Sequence, residues 1–246
     1  MVIHVLPFIS TLVVFVFAFL VLQRYRQRGG LHSLLWGIGF VMYGLGTFAE
    51  AYLAFGYSPF ILHSWYLFGA VLTPAWLGQG TIYLLVRRRN VANILLIVLT
   101  LVSLLAVVKI FSLPAYPDSH LPPLKPFDVA VPVSAQYKDV MARDGLSGAL
   151  LGIFAAYGTL ALVGGALYSA YIFWRKRIMP QRVLGNVLIA AGALSPALGG
   201  VFVARGLGDY LFISELLGAI IMFVGFRLAT TQQPVAAPQT AQTAGA

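Results

Sequence analysis

The stretch Val91–Leu113 reads VANILLIVLTLVSLLAVVKIFSL and contains one charged residue, Lys109. A helix needs about 20 consecutive apolar residues to cross a hydrocarbon layer about 30 Å thick. The stretch therefore predicts a membrane-spanning helix. The whole chain of 246 residues is 60% hydrophobic and 9% charged, whereas soluble domains average about 45–50% and about 25%. This composition indicates an integral membrane protein and excludes a soluble enzyme, a disordered regulator and a nucleic-acid-binding domain.

Similar apolar runs lie on both sides of this stretch and are bounded by charged or turn residues. Prolines at Pro59 and Pro180 are typical of a first helical turn, and Asp144 and Asp209 are suitable N-caps. The seven predicted spans are His4–Leu22, Leu31–Phe55, Pro59–Val86, Val91–Leu113, Leu146–Trp174, Pro180–Ala204 and Asp209–Leu228. The predicted fold class is all-α, a polytopic seven-transmembrane-helix bundle.

Lysine and arginine are distributed unequally between the two ends of these spans. One end has Arg24, Arg26, Arg28, Arg87, Arg88, Arg89, Arg175, Lys176, Arg177, Arg182 and Arg227, and the other has Lys109, Lys125, Lys138, Arg143 and Arg205. Because cytoplasmic loops carry the excess of basic residues, we expect the N-terminus outside and the C-terminus in the cytoplasm. The expected location is the cytoplasmic membrane of the cell.

Two segments are not predicted to cross the membrane. Residues 114–145 form a proline-rich connection on the outside, which is interpreted either as a lid over the outer face or as an extended spacer on the membrane surface. Residues 230–246 are rich in Thr, Gln, Ala and Pro and predict a disordered cytoplasmic tail. The expected organisation is a transmembrane domain over 1–229 followed by this tail.

Ionisable residues inside the predicted spans are few and lie near their outer ends. Glu50, His63, Lys109 and Glu215 fall roughly 6–9 Å below the outer boundary at 1.5 Å per residue. Charged groups in a bilayer are energetically unfavourable and are often functional. The candidate ligand-binding residues are Glu50, His63, Tyr66, Lys109, Arg205 and Glu215.

Two interpretations of this polar layer remain open. In the first, it forms an outward-facing pocket for an ion or a small polar or amphipathic molecule. In the second, Lys109 extends to the lipid headgroups, His63 lies in the interface, and each glutamate pairs with a neighbouring base to fix helix packing. A Zn²⁺ or Mn²⁺ site formed by His4, His63 and the two glutamates is a sharper form of the first interpretation. The sequence contains no metal-binding motif that supports it.

No cofactor is identified from the sequence. The chain has no cysteine, which excludes thiolate ligands and c-type haem attachment. A retinal Schiff base of the microbial rhodopsin type is excluded because no lysine lies between Asp209 and Leu228.

The first functional hypothesis is a small-ligand- or ion-binding transporter, channel or receptor-like module. The second is a non-catalytic subunit of a larger membrane complex, and an enzyme is less favoured because two glutamates alone do not make an active site. The expected partners are the lipid bilayer, a small molecule or ion, and copies of the chain or other membrane subunits, with no nucleic acid.

Overall fold

A computed structural model describes residues 2–86, 88–117, 124–177, 179–205 and 210–230, without the side chains of residues 2–4 and 204. The helices within these ranges are α1 (Val2–Arg28), α2 (Leu31–Leu53), α3 (Pro59–Leu85), α4 (Arg89–Phe111), α5 (Val133–Val140), α6 (Gly145–Arg175), α7 (Pro180–Ala204) and α8 (Tyr210–Thr230). Seven of these helices, all except α5, are long and apolar enough to cross a membrane. This confirms the predicted all-α, seven-helix membrane fold.

Six of the seven long helices form a closed ring. α1 packs on α2, α2 on α3, α3 on α6, α6 on α7, α7 on α8, and α8 returns to α1. Helix α4 lies outside this ring against α3 and leaves Leu101, Leu104 and Val108 exposed. A membrane-spanning helix that contacts lipid tails exposes apolar side chains to them. The chain is therefore a multi-pass membrane protein whose ring encloses an interior.

Close helix contacts in the ring depend on glycine. A Cβ at Gly46 of α2 would lie 2.6 Å from Gly69 Cα of α3. A Cβ at Gly158 of α6 would lie 2.2 Å from the backbone of Pro74 in α3. Small residues let membrane helices approach to backbone contact. Gly46 therefore lies in the contact between α2 and α3.

Two of the ring helices change to π-helical geometry where they meet. The segments are Trp65–Leu72 in α3 and Leu160–Gly164 in α6. Pro74 lacks an N–H and its ring conflicts with a preceding carbonyl group. The wider π turn before Pro74 relieves that conflict, and the Thr73 hydroxyl donates to the Phe68 carbonyl oxygen at 2.6 Å. Such π segments are frequent at functional sites.

The described parts of the long connection between α4 and α6 pack on the bundle. The backbone of Tyr116 donates to Val140, and Ala142 donates to Pro114. Helix α5, which follows Pro132, buries Val133, Tyr137 and Val140 against α3 and α4. The alternative of an extended surface spacer is therefore wrong for residues 124–145.

The two ends of the bundle are named by what they carry. The loop end carries α5, and the basic end carries the C-termini of α1 and α6. At the loop end, the predicted cap is confirmed for Asp144, whose carboxylate accepts from the Ser147 backbone at 2.9 Å. Asp209 and residues 231–246, which include nearly all of the predicted tail, lie outside the described residues.

Candidate functional site

Glu50 of α2 and Glu215 of α8 meet inside the ring. Their carboxyl groups lie within hydrogen-bonding range of each other. Glu50 is only 2% exposed. One oxygen of each side chain, Glu50 Oε1 and Glu215 Oε2, is buried without a hydrogen-bond partner among the described residues. Buried polar groups are nearly always hydrogen-bonded in native structures, so these two oxygens require an explanation.

No described base neutralises this carboxyl pair. The ion pairs in the described part of the chain are Lys109–Asp144 and Lys125–Asp139, and neither contains a glutamate. Neither glutamate forms an ion pair within the described residues, so nothing there supports the interpretation that each one pairs with a neighbouring base. Two carboxylates in contact in a low-dielectric interior cannot both carry a charge. The pair can instead share a proton or accept a cation.

Aromatic side chains position the carboxyl pair. The Tyr43 hydroxyl, seven residues before Glu50 on α2, donates to the backbone carbonyl oxygen of Glu215 at 2.9 Å. The indole of Trp65 in α3 approaches the Glu50 carboxyl. Residues seven apart lie on the same helical face, which explains why Tyr43 and Glu50 both face α8. The pair is thus held by three helices.

A cavity of about 480 Å³ adjoins the pair. Glu215 lines it directly, and Glu50 is linked to it through Glu215. Most of the wall is apolar, with contributions from α2, α3, α6, α7 and α8. The two π-helical segments both contribute to the wall, through Trp65 and Tyr66 on one side and Leu162 on the other. Small-molecule sites have volumes of about 300–1,000 Å³ and apolar walls with few polar groups.

Helix α5 closes part of the loop end of this cavity. Ser134 and Tyr137 of α5 line the wall together with Tyr66. The Arg143 guanidinium lies 4.9 Å from the centre of the Tyr137 ring and does not itself line the cavity. Helix α5 therefore covers part of the cavity at the loop end.

The structure separates the other candidate residues from the carboxyl pair. Tyr66 is buried and lines the cavity. Lys109 pairs with Asp144 at the loop end, and the Arg205 side chain is exposed at the end of α7. The His63 ring is buried, and its Nε2 lies 3.0 Å from the Leu113 carbonyl oxygen, to which it donates. Of the six candidates, Glu50, Glu215 and Tyr66 lie at or beside the cavity.

Metal-ligating side chains do not gather in the described part of the chain. No group of three His, Cys, Asp or Glu residues there could hold a metal ion. His63 is engaged with Leu113, as above, and the His4 side chain lies outside the described residues. The carboxyl pair supplies two ligands and no third.

Gln79, on the basic-end side of the cavity, is a polar residue with 0% exposure. Its amide nitrogen donates to the Ala92 carbonyl oxygen at 2.9 Å, and its amide oxygen accepts from the Tyr157 hydroxyl. Gln79 therefore joins α3 to α4 and α6.

Comparison with known proteins found no matching family model, curated protein or solved structure.

Proposed function

We propose that this multi-pass membrane protein binds a small, mostly apolar ligand that carries one positive charge. The observation that carries the proposal is the Glu50–Glu215 pair, which has an unpartnered oxygen on each residue, no described base beside it, and Glu215 in the cavity wall. A cationic group beside the pair neutralises one carboxylate and satisfies a buried acceptor. Because the rest of the wall is apolar, the ligand body must be apolar as well.

The aromatic residues of the wall favour a cation over a neutral ligand. Trp65, Tyr66 and Tyr137 all line the cavity. The faces of aromatic rings attract cations by roughly 0.5–2 kcal/mol, and more strongly in desolvated sites. The Arg143 guanidinium lies 4.9 Å from the centre of the Tyr137 ring and donates to the Tyr66 hydroxyl at 3.5 Å, but Arg143 does not itself line the cavity.

A transporter or receptor-like module fits the cavity better than an open channel does. Toward the basic end, the cavity is bounded by Leu77, Leu162 and Met222. These residues pack with Phe17 and Phe40 in one apolar cluster. A continuous polar path between the two ends is therefore interrupted. We also propose that the loop end faces outward, as the excess of bases at the other end predicts.

Tetraphenylphosphonium, a lipophilic monocation, tests the proposal, because tetraphenylborate has the same shape and the opposite charge. We expect saturable binding of radiolabelled tetraphenylphosphonium to the detergent-solubilised protein and none of tetraphenylborate. Glu215→Gln and Glu50→Gln should each weaken binding by roughly tenfold, since two opposite charges about 4 Å apart attract each other by about 1–4 kcal/mol between bulk water and a protein surface. Asp139→Asn, an equal change of charge at an exposed site on α5, is the matched control.

Protons should compete with the ligand at the same site. Glu50 and Glu215 face each other, Trp65 and Tyr43, and no described base. Lower pH should therefore weaken tetraphenylphosphonium binding, and Glu215→Gln should remove most of that dependence. Equal binding of both tetraphenyl ions, or no loss in either glutamine variant, would contradict the proposal.

A second candidate function, a subunit of a larger membrane complex, is favoured by one face of α6. Gly148 and Gly152, four residues apart, have no neighbouring atoms around the position that a Cβ would take. Small residues at this spacing allow close contact with another helix. Native mass spectrometry of the gently extracted protein should then show added polypeptide mass, and Gly152→Leu should remove it. A monomeric mass would reject this candidate.

A further inference from the structure

A groove separates the end of α6 from the start of α7 at the basic end of the bundle, far from the carboxyl pair. Its volume is about 700 Å³. Trp174, Arg175 and Arg177 contribute on the α6 side. Val183, Leu184 and Val187 contribute on the α7 side. We call this the α6–α7 groove and infer that it binds one anionic phospholipid.

The polar part of the groove carries positive charge without an acidic partner. Arg175 and Arg177 are both exposed. The acidic residues that the structure describes are Glu50, Asp128, Asp139, Asp144 and Glu215, all in the loop-end half of the bundle. The anion that complements these guanidinium groups must therefore come from outside the described chain. Phosphate is a preferred partner of arginine because its oxygens match the guanidinium donors.

The apolar part of the groove extends from Arg175 and Arg177 along α7 into the membrane. Val183, Leu184 and Val187 are spaced so that they share a helical face. Val187 lies seven residues into α7, which is roughly 10 Å along the helix axis at 1.5 Å per residue. This apolar wall suits an acyl chain. A soluble phosphate compound would leave it unused.

Trp174 lies at the boundary between the two parts. Its side chain is 68% exposed. Indole rings prefer the headgroup level of the bilayer, where one edge is apolar and the other is wet. Arg182, also near the groove, lies with its guanidinium 5.7 Å from the centre of the Phe173 ring. Arg175 and Arg177, beside Trp174, are therefore the residues that bind the lipid phosphate.

The test measures quenching of Trp174 fluorescence by lipids brominated on their acyl chains. The full chain is reconstituted in phosphatidylcholine vesicles that contain either brominated phosphatidylglycerol or brominated phosphatidylcholine. Subtracting the emission of a Trp174→Phe variant isolates the signal of Trp174. A base near the membrane surface contributes about a fivefold preference for anionic lipid. With two arginines, half-quenching should therefore require about twentyfold less phosphatidylglycerol than phosphatidylcholine.

Variants separate a specific site from a diffuse surface potential. Arg175→Gln with Arg177→Gln should abolish the preference. Arg26→Gln with Arg28→Gln removes the same charge from α1 at the same end and should leave the preference unchanged. Equal quenching by the two lipids in the unmodified protein overturns the inference, as does an equal loss of preference in both double variants.

A salt comparison separates a lipid headgroup from free phosphate. Sodium phosphate and sodium chloride at equal ionic strength should reduce the preference for phosphatidylglycerol equally. A selective loss in phosphate would assign the groove to a soluble phosphate compound and overturn the lipid assignment.

Discussion

Gln79 and the Glu50–Glu215 pair are both buried between helices, and they differ in how their hydrogen bonds are satisfied. The amide of Gln79 donates to Ala92 and accepts from Tyr157. The carboxyl pair leaves an oxygen of each residue without a partner. Satisfied buried networks make a core rigid, whereas unsatisfied groups weaken it. The comparison separates polar residues that hold the bundle together from those that remain available for a ligand.

Gln79 and the carboxyl pair also differ in their access to the large cavity. Gln79 is enclosed by packed helices and does not line the large cavity, whereas Glu215 lines it. Both sites are polar and buried, and they differ in whether a side chain reaches the cavity. Gln79 has its hydrogen-bond partners within the chain, whereas the carboxyl pair has two buried acceptors that a ligand can satisfy.

The largest expected effect is on Gln79. Gln79→Leu keeps a similar volume and leaves the Tyr157 hydroxyl without its acceptor. We expect the free energy of unfolding to fall by about 2 kcal/mol, since an unsatisfied buried donor costs about 1–3 kcal/mol. Titration with SDS in mixed micelles, followed by intrinsic fluorescence, measures this change.

Tyr157→Phe provides the control for Gln79. Combined with Gln79→Leu, it removes both partners, so the double variant should lose less than the sum of the two single variants. Strict additivity would show that the Gln79–Tyr157 hydrogen bond does not contribute.

Replacing the carboxyl pair should not lower the free energy of unfolding as replacing Gln79 does. Glu50→Gln with Glu215→Gln replaces two like acids by amides that can donate to each other. We expect the free energy of unfolding to stay within about 1 kcal/mol of the unmodified protein or to rise, because an uncompensated buried carboxyl is unfavourable. The same SDS titration measures it. A loss of several kcal/mol would mean that the pair is structural, like Gln79, and would remove the distinction between the two sites.

The fold could be predicted from the sequence because span length and bounding charge are local properties. The run Val91–Leu113 and its α4 helix, Arg89–Phe111, agree closely. Depth in the membrane also follows from residue number, so Glu50 and Glu215 were correctly placed at similar depth. Residue number does not give the direction in which a side chain points around the ring. Lys109 shares that depth and pairs with Asp144 instead.

Helix α5 was missed although its sequence carries a signal. Val133, Tyr137 and Val140 recur at helical spacing directly after Pro132, and all three are buried. The prolines of the segment favoured an extended interpretation. The cavity could not be predicted, because it depends on how helices that are distant in the sequence pack, as at the contact of Gly158 with Pro74.

Asp144 has hydrogen-bond partners, as Gln79 has, but its side chain is exposed to solvent. The hydrogen bond from Lys109, followed by that from the Ser147 backbone, lowers the pKa of the Asp144 carboxyl to about 2 from its ordinary 3.8. A carboxyl with a lowered pKa stabilises the fold above its ordinary pKa and loses that effect as pH falls through the lowered value. The unfolding temperature of the unmodified protein should therefore fall between about pH 4 and pH 2 by more than that of Asp144→Asn. We expect this to be the smallest of the three effects, since exposed ion pairs contribute little.

Asp139→Asn, which removes the Lys125 pair without removing a helix cap, should differ less from the unmodified protein over the same range. If Asp144→Asn instead matched the loss in Gln79→Leu, burial would not determine the strength of these contacts, and the contrast between Gln79 and the carboxyl pair would need another cause.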